Sequence, residues 1–166
     1  MYKAWNGPMP TTAAQATVAT GTAIKTMLQI ATPSTHQLRI LEWGYTLNTS
    51  SAGGGIIELI ETDVAATVTA HAAAGVQPQI PGAPASRMTL GTSATGYTAT
   101  AEGSTTASRV FDVVDLVANT AAPSLRYNYQ FVPGREPVVA VSKFLRVRST
   151  TADTVNMHCW ILWQEV

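Results

Sequence analysis

Hydrophobic and polar residues alternate with a period of two along most of this 166-residue chain. Successive side chains of a β-strand point to opposite faces of its sheet, so this period predicts strands with one buried face. Gly, Pro, Ser and Thr punctuate the alternating runs as turn residues do. The pattern predicts strands at 25–30, 37–48, 56–62, 108–117, 125–132, 138–149 and 155–164.

The segment 37–48, "QLRILEWGYTLN", carries apolar residues on both faces, which is typical of a central strand. Leu38 and Ile40 occupy one face near its start, and Leu41, Trp43, Tyr45 and Leu47 occupy the other. The glycine-rich "SSAGGG" follows, and "IIELIET" comes next. This succession predicts a hairpin between 37–48 and 56–62.

Two segments interrupt the alternation. In 64–75, "VAATVTAHAAAG", Ala dominates, Thr62 or Asp63 can serve as the N-cap, and Gly75 stands where a helix commonly ends, so we expect one short helix. Residues 77–107 hold Pro78, Pro81 and Pro84 among many Gly and Thr and predict an irregular excursion. Long excursions of this kind usually serve binding or assembly.

Residues 1–21 are rich in Pro, Thr and Ala without a clear period, so we expect an extended N-terminal arm ahead of a single domain, 22–166. Tyr2 and Trp5 are large for a free tail. They either hold the arm on this same domain or anchor it on a neighbouring subunit.

The chain as a whole is predicted to form many strands and scarcely any helix. This composition of elements predicts an all-β antiparallel sandwich.

The last predicted strand, "VNMHCWILWQEV", sets His158 beside Cys159, the only cysteine. Adjacent residues of a strand face opposite ways, so the imidazole cannot serve the thiol as a base. Cys159 lies in an apolar row and is expected to be a small buried hydrophobe. Trp160 and Leu162 make the second face apolar too, so the arm or another subunit must cover it.

No other pattern predicts catalysis, a metal or a cofactor. His36, His71 and His158 lack metal-site spacing. The carboxylate pairs Glu58/Glu61 and Asp112/Asp115 have a spacing of three, which sends the two members to opposite faces of a strand. Neither a phosphate loop nor a nucleophile elbow occurs. We therefore expect a protein that is not an enzyme.

Charged residues make up only 12% of the chain, and ten basic residues balance ten acidic ones. No basic run is present, which argues against a nucleic-acid partner. The densest basic group is Lys143, Arg146 and Arg148, which Arg126 and Arg135 join if their strands are adjacent. This group is either a solvated sheet face balanced by Glu42 and Glu136, or a surface that docks on acidic protein.

The start, "MYKAWNGPMP", lacks the apolar core of a signal peptide, and no apolar run approaches the roughly 20 residues that span a bilayer. We expect no membrane partner, and a chain that stays in the cytosol or in something assembled there.

Several segments resemble the head-decoration (cement) proteins of tailed bacteriophages that infect actinobacteria. These segments are "LRILEWGYTLN", "IELIETDVAATVTAHAAAGVQP", "GYTATAEGSTTASRVFD", "FVPGREPVV" and "FLRVRSTTADTVNMHCWILWQE". They cover more than half of the chain in the family's order. The segment "YTLNTSSAGGG" is richer in glycine than the family pattern.

The resemblance implies a jelly-roll-like β-sandwich that binds the major capsid protein on the outer surface of the virion head, as a homotrimer and without catalysis. Assembly would take place in the host cytoplasm. The arm and the excursion would then reach across junctions between capsid subunits. The residues expected to contact the capsid or a sister subunit are Tyr2, Trp5, Arg126, Arg135, Arg146, Arg148 and Trp160.

Two other virion functions remain open. A tail-associated or host-glycan-binding module would use exposed tryptophans against sugar rings, and the chain offers Trp5, Trp43, Trp160 and Trp163. A major jelly-roll capsid subunit is the other alternative, although the short chain and the lack of a basic genome-facing arm count against it.

Overall fold

The computed structural model describes residues 1–8, 13–120 and 125–166. Within these ranges the chain forms thirteen strands and one 3₁₀ turn, Ala73–Gly75. The strands are β1 (Tyr2–Trp5), β2 (Val18–Ala19), β3 (Lys25–Ala31), β4 (Leu38–Leu47), β5 (Gly55–Thr62), β6 (Thr67–Ala70), β7 (Val76–Pro78), β8 (Gly96–Ala101), β9 (Arg109–Leu116), β10 (Leu125–Gln130), β11 (Val138–Val139), β12 (Phe144–Thr151) and β13 (Asn156–Glu165).

These strands build two antiparallel sheets that enclose one main core, which confirms the expected all-β sandwich. The first sheet has the order β10-β4-β13-β1-β7, with β11 paired to β4 and β2 paired to β13. The second sheet has the order β6-β8-β3-β12-β5-β9. The main core takes side chains from both sheets, among them Trp43 and Trp163 from the first and Met27 and Val147 from the second.

The described strands never pair with their neighbour in sequence, because the chain repeatedly crosses between the sheets. The expected hairpin between 37–48 and 56–62 is therefore wrong. β4 pairs with β10, β11 and β13, whereas β5 pairs with β9 and β12. The intervening glycine-rich loop carries the chain from one sheet to the other. Its Gly54, at φ +77°, packs so closely that a Cβ would lie 2.6 Å from the Leu116 carbonyl oxygen.

A β-bulge explains why β4 is apolar on both faces in the alternating pattern. Along β13, Leu162 lies opposite Glu42 but Trp163 lies opposite Ile40, so Leu41 is the extra residue. An extra residue reverses the facing of everything beyond it. Both halves of β4 consequently point their apolar side chains into one core: Leu38, Ile40, Trp43, Tyr45 and Leu47.

The helix expected over 64–75 is wrong. Residues 67–70 form β6, which pairs with β8, and only the 3₁₀ turn follows. Thr67, Val68 and Thr69 are β-branched and favour a strand when a pairing partner is available. That partner, β8, lies inside the segment 77–107 that was expected to be wholly irregular.

The N-terminal segment 1–21 is built into the first sheet instead of preceding the fold. β1 lies between β13 and β7, and β2 pairs with β13. Asn6 extends the β1 pairing through its side chain: Nδ2 donates to Met157 O at 3.0 Å, and Oδ1 accepts from Cys159 N at 2.8 Å. Residues 9–12 of the expected arm lie outside the described residues.

Candidate functional site

A cleft of about 500 Å³ lies on the outer face of the first sheet, and we call it the outer-face cleft. It is lined by Lys3 and Trp5 of β1, Glu42 of β4, Arg126 of β10, and His158 and Trp160 of β13. Gln15, Thr46 and Gln77 complete its rim. The strand register brings these residues together: Trp5 lies opposite Trp160, and Thr46 lies opposite His158 and Arg126.

The floor of the outer-face cleft is the indole of Trp160, which lies over Gly44 of β4. A Cβ at position 44 would lie 2.5 Å from Trp160 Cζ2, far inside van der Waals contact. The missing side chain therefore provides the space in which the indole lies on the sheet. Trp160 Nε1 donates to Glu42 Oε1 at 2.9 Å, which fixes the ring in place.

Trp5 forms one wall of the cleft beside this floor. Its ring centroid lies 5.0 Å from that of Trp160, with the planes tilted by 44°. The Trp5 ring and the His158 imidazole form a T-shaped contact with centroids 6.5 Å apart. Tilted and edge-to-face pairs of this kind are favourable arrangements of aromatic rings. The cleft is thus an aromatic surface with polar groups around it.

Two cations stand over the Trp160 ring. Lys3 Nζ lies 5.3 Å from its centroid and 4.7 Å from that of Trp5, and the Arg126 guanidinium lies 5.9 Å from the Trp160 centroid. Burial lowers the pKa of Lys3; the Glu42 carboxylate raises it, and the nearby Arg126 lowers it further. Two cations thus share a partly desolvated space with one carboxylate.

Two polar atoms in the cleft are buried without a hydrogen-bond partner among the described residues, His158 Nδ1 and Gln15 Nε2. Buried polar atoms nearly always have a partner in native proteins, and leaving one unpaired is costly. Both atoms belong to residues that line the same concave space. The cleft therefore holds unused hydrogen-bonding capacity.

Three of the residues expected to make contacts meet in this cleft: Trp5, Arg126 and Trp160. Tyr2 faces the other way, into the core, where its ring lies 6.2 Å from Trp163 and its Oη donates to Pro84 O at 3.1 Å. Arg135 is exposed on the turn after β10 and is not part of the cleft lining.

The basic residues that were expected to form one group do not share an exposed surface. Arg126 belongs to the first sheet, whereas Arg146 and Arg148 lie on β12 of the second sheet. Arg146 is fully buried, so it is neither a solvated residue nor a docking residue. Its Nη1 donates to the carbonyls of Glu102 and Ser104 at 3.1 and 3.3 Å.

The segment 102–105 lies over both arginines and hides them from solvent. Arg148 donates through Nε to Glu58 Oε2 at 2.9 Å and through Nη1 to the Thr105 carbonyl. Glu102 is fixed in turn by Thr26, whose backbone N and Oγ1 each donate to its carboxylate at 2.6 Å. The alternating pattern of the sequence showed that Arg146 and Arg148 are charged, but it could not show that the segment 102–105 covers them.

The histidine–cysteine pair is arranged as expected. Cys159 is fully buried in the core, and burial raises the pKa of its thiol well above the ordinary value. His158 lies on the outer face in the cleft, so the two side chains are separated by the sheet. A thiol that stays protonated in an apolar core is a poor nucleophile.

The four carboxylates considered as acid–base pairs act separately. Asp112 Oδ2 accepts from Trp43 Nε1 at 3.0 Å and from Tyr127 Oη at 2.7 Å, and so joins the two sheets. Asp115 is exposed. Glu58 pairs with Arg148, and Glu61 pairs with Arg109. No group of three or more His, Cys, Asp and Glu suited to a metal ion occurs in the described ranges.

A second surface feature is a set of exposed apolar side chains on and just beyond β9 and β10, the strands that end the second and the first sheet. Each strand is the last of its sheet, so within the part of the chain that the structure describes each has one edge without a strand partner. Large apolar side chains are exposed on and just beyond the two strands, and we call this set the β9–β10 edge: Val110, Val113, Val117, Leu125, Tyr129 and Val132. Exposure reaches 84% at Val117 and 59% at Val132.

Sequence reasoning missed Lys3, Gln15, Glu42, Thr46, Gln77 and His158 as members of one cleft. A usable signal was the glycine inside a strongly apolar strand, since such a glycine often marks close approach of another group. The partner that approaches, Trp160, is more than a hundred positions away and could not be assigned without the pairing of β4 with β13.

None of the helical structure in the described ranges is long and apolar enough to cross a bilayer.

Comparison with known proteins gave no match to any family model, curated protein or solved structure.

Proposed function

We propose that this protein is a capsid decoration protein of a tailed bacteriophage that binds the outer surface of the icosahedral head as a homotrimer, and that it is not an enzyme. Its partners are the major capsid protein and two sister copies. It would assemble on heads in the host cytoplasm and remain on the virion. The sequence segments that resemble the decoration family led to this proposal.

The observation that supports it best is the β9–β10 edge. An exposed, apolar sheet edge is a template for association, and proteins that stay monomeric usually protect such edges with charge, proline or a covering segment. Here Val110 and Val113 of β9 are exposed, at 54% and 49%. Large apolar side chains exposed on two strands that end their sheets support the proposal of an interaction surface here.

The chemistry of the rest of the molecule fits an interaction role. With only 12% charged residues, the surface is largely made of small hydroxyl and methyl groups that can pack against other protein. Many weak contacts made by a trimer on a repeating lattice multiply through avidity. A protein that binds the mature shell and not other states of the shell stabilises the mature state, because its binding free energy is added to that state alone.

The test is uptake by heads. Purified protein is mixed with undecorated expanded heads of the phage that encodes it, with unexpanded precursor shells as the control, and bound protein is measured after sedimentation. We expect saturable, stoichiometric uptake by expanded heads. Absence of uptake by both shells would refute the proposal.

The β9–β10 edge is tested by the double variant Val110→Lys/Val113→Lys, which places charge on the edge strand. We expect it to lose head binding and the trimer, measured by sedimentation equilibrium. Ile80→Lys is the matched control, since Ile80 is 52% exposed just beyond β7, at the opposite end of the first sheet. Equal loss in the control would show that the edge is not the contact surface.

A further inference from the structure

The outer-face cleft has the dimensions of a small-molecule site. Its volume of about 500 Å³ falls within the range of roughly 300–1,000 Å³ that is usual for ligand pockets. Its floor is rigid, because Trp160 is only 3% exposed, lies against Gly44 and is held by Glu42. Such preformed sites lose little entropy when a ligand binds.

The unused polar groups of the cleft are mostly donors. Within the described residues, neither the Lys3 ammonium nor the Arg126 guanidinium makes a hydrogen bond, and Gln15 Nε2 is buried without an acceptor. The one carboxylate, Glu42, is already engaged: its Oε1 accepts from Trp160 Nε1, and the Asn128 amide, oriented to donate, lies 3.1 Å from the same oxygen. A complementary ligand must therefore supply acceptors.

The charge of the cleft specifies an anion. Lys3 and Arg126 lie within 6 Å of one ring centroid, and a single carboxylate faces them. Like charges brought together in a partly desolvated space repel each other, and an anionic ligand would relieve that repulsion. Arginine also binds carboxylates in a planar, two-bonded geometry.

The other residues that line the cleft indicate the chemistry of the rest of the ligand, beyond its anionic group. Trp5 presents a half-buried ring as an apolar wall, while Thr46, His158 and the Gln15 amide offer further hydrogen-bonding groups around it. A purely aromatic acid would leave these hydrogen-bonding groups unmatched. A sugar ring has an apolar C–H face for the indole and hydroxyls that both donate and accept, so it matches both parts.

We propose that the outer-face cleft binds a carboxylated sugar, a hexuronate unit whose carboxylate pairs with Lys3 and Arg126 and whose ring packs on Trp5. This site shares strand β10 with the β9–β10 edge through Arg126 but has no residue in common with that edge, and the inference does not depend on attachment to heads. The unit can be a free monosaccharide or part of an acidic polysaccharide, and the experiment distinguishes the two sources.

The experiment titrates the full chain with sodium glucuronate, glucose and an oligogalacturonate, following tryptophan fluorescence and heat of binding. We expect saturable glucuronate binding, with glucose at least about tenfold weaker because it lacks the charge-assisted hydrogen bonds. Tighter binding of the oligosaccharide per unit would identify a polysaccharide as the source, and equal binding would identify the free sugar.

Two arginine variants make the test specific. Arg126→Gln, on the edge strand β10, is expected to weaken glucuronate binding by about tenfold or more. Arg135→Gln removes the same charge outside the cleft and should leave binding unchanged. Unfolding of each variant is followed to confirm that the fold is intact.

Three results would overturn the proposal: no saturable binding of either acidic ligand, equal affinity for glucose and glucuronate, or equal loss in the two arginine variants. Head uptake is measured independently, so failure of the sugar site and failure of the decoration role give different results.

Discussion

At the scale of single residues, Asp112 is the polar junction between the sheets on the β9–β10 side. It accepts from Trp43 and Tyr127, and the Tyr45 ring stacks on Tyr127 with centroids 5.5 Å apart. Burial, and then the charge of Asp112, raises the pKa of Tyr45 to about 12. Burial, followed by the hydrogen bond to Asp112, raises the pKa of Tyr127 still further.

These shifts predict a loss of stability at alkaline pH. A folded-state pKa above the unfolded value of 10.0 means that the folded protein holds its proton longer. The contribution of Tyr45 and Tyr127 is therefore complete below pH 10 and is lost as pH rises towards about 12. Urea unfolding across this range, with tyrosinate absorbance followed in parallel, measures the effect.

The control for the alkaline prediction is Tyr127→Phe. It removes one titrating group and its hydrogen bond, and should lower the free energy of unfolding at neutral pH by about 1 kcal/mol. It should also flatten the alkaline decline. An unchanged decline in Tyr127→Phe would mean that other groups cause it.

At the scale of elements, the segment 102–105 is fixed on the outer face of the second sheet by β12. Arg146 is fully buried beneath it, donates to two carbonyls of the segment, and lies 3.6 Å from the Glu102 carboxylate. Removing one partner of a buried, hydrogen-bonded charge leaves the rest of the network unpaired. The segment is thus held in place by Arg146 together with its own Glu102.

Arg146→Ala is expected to lower the free energy of unfolding by about 3–5 kcal/mol and to increase amide exchange at 102–105. Lys143→Ala is the comparison, because the Lys143–Asp63 pair is on the surface, with Asp63 62% exposed. Such a pair is worth at most about 1 kcal/mol. Similar costs for the two variants would contradict the buried-network interpretation.

Sequence patterns predicted a strand well wherever the inward-facing positions alternate with the others along the chain. In β13, Met157, Cys159, Ile161 and Trp163 all point into the core as the alternation indicates. The pattern failed where long-range pairing decides the outcome. The segment 64–75 is Ala-rich enough to favour a helix, but the pairing of residues 67–70 with β8 makes them the strand β6. The outer-face cleft was missed for the same reason, since Gly44 and Trp160 meet only through sheet pairing.

At the scale of the whole molecule, the first sheet depends on the segment expected to be an extended N-terminal arm. β1 is hydrogen-bonded on both sides, to β13 and β7, and Ala4 is fully buried in the core. Removing an interior strand exposes two unpaired edges and opens the core.

Deletion of residues 1–7 is therefore expected to abolish cooperative unfolding and to cause aggregation, as followed by circular dichroism and light scattering. Asn6→Ala is a milder companion variant, since it removes only the side-chain extension of the β1 pairing and should cost about 1–3 kcal/mol. A deleted chain that kept a cooperative transition would show that β1 is a dispensable addition.

The pairing of β1 with β13 also has a consequence for biosynthesis. Residues 2–5 acquire their partners, 160–163, only after almost all of the described chain has been translated. A nascent chain on the ribosome therefore cannot complete the first sheet until residues 160–163 have been synthesised. Strand β1 lacks its β13 partner until then. Completion of the first sheet is consequently expected to follow the synthesis of β13.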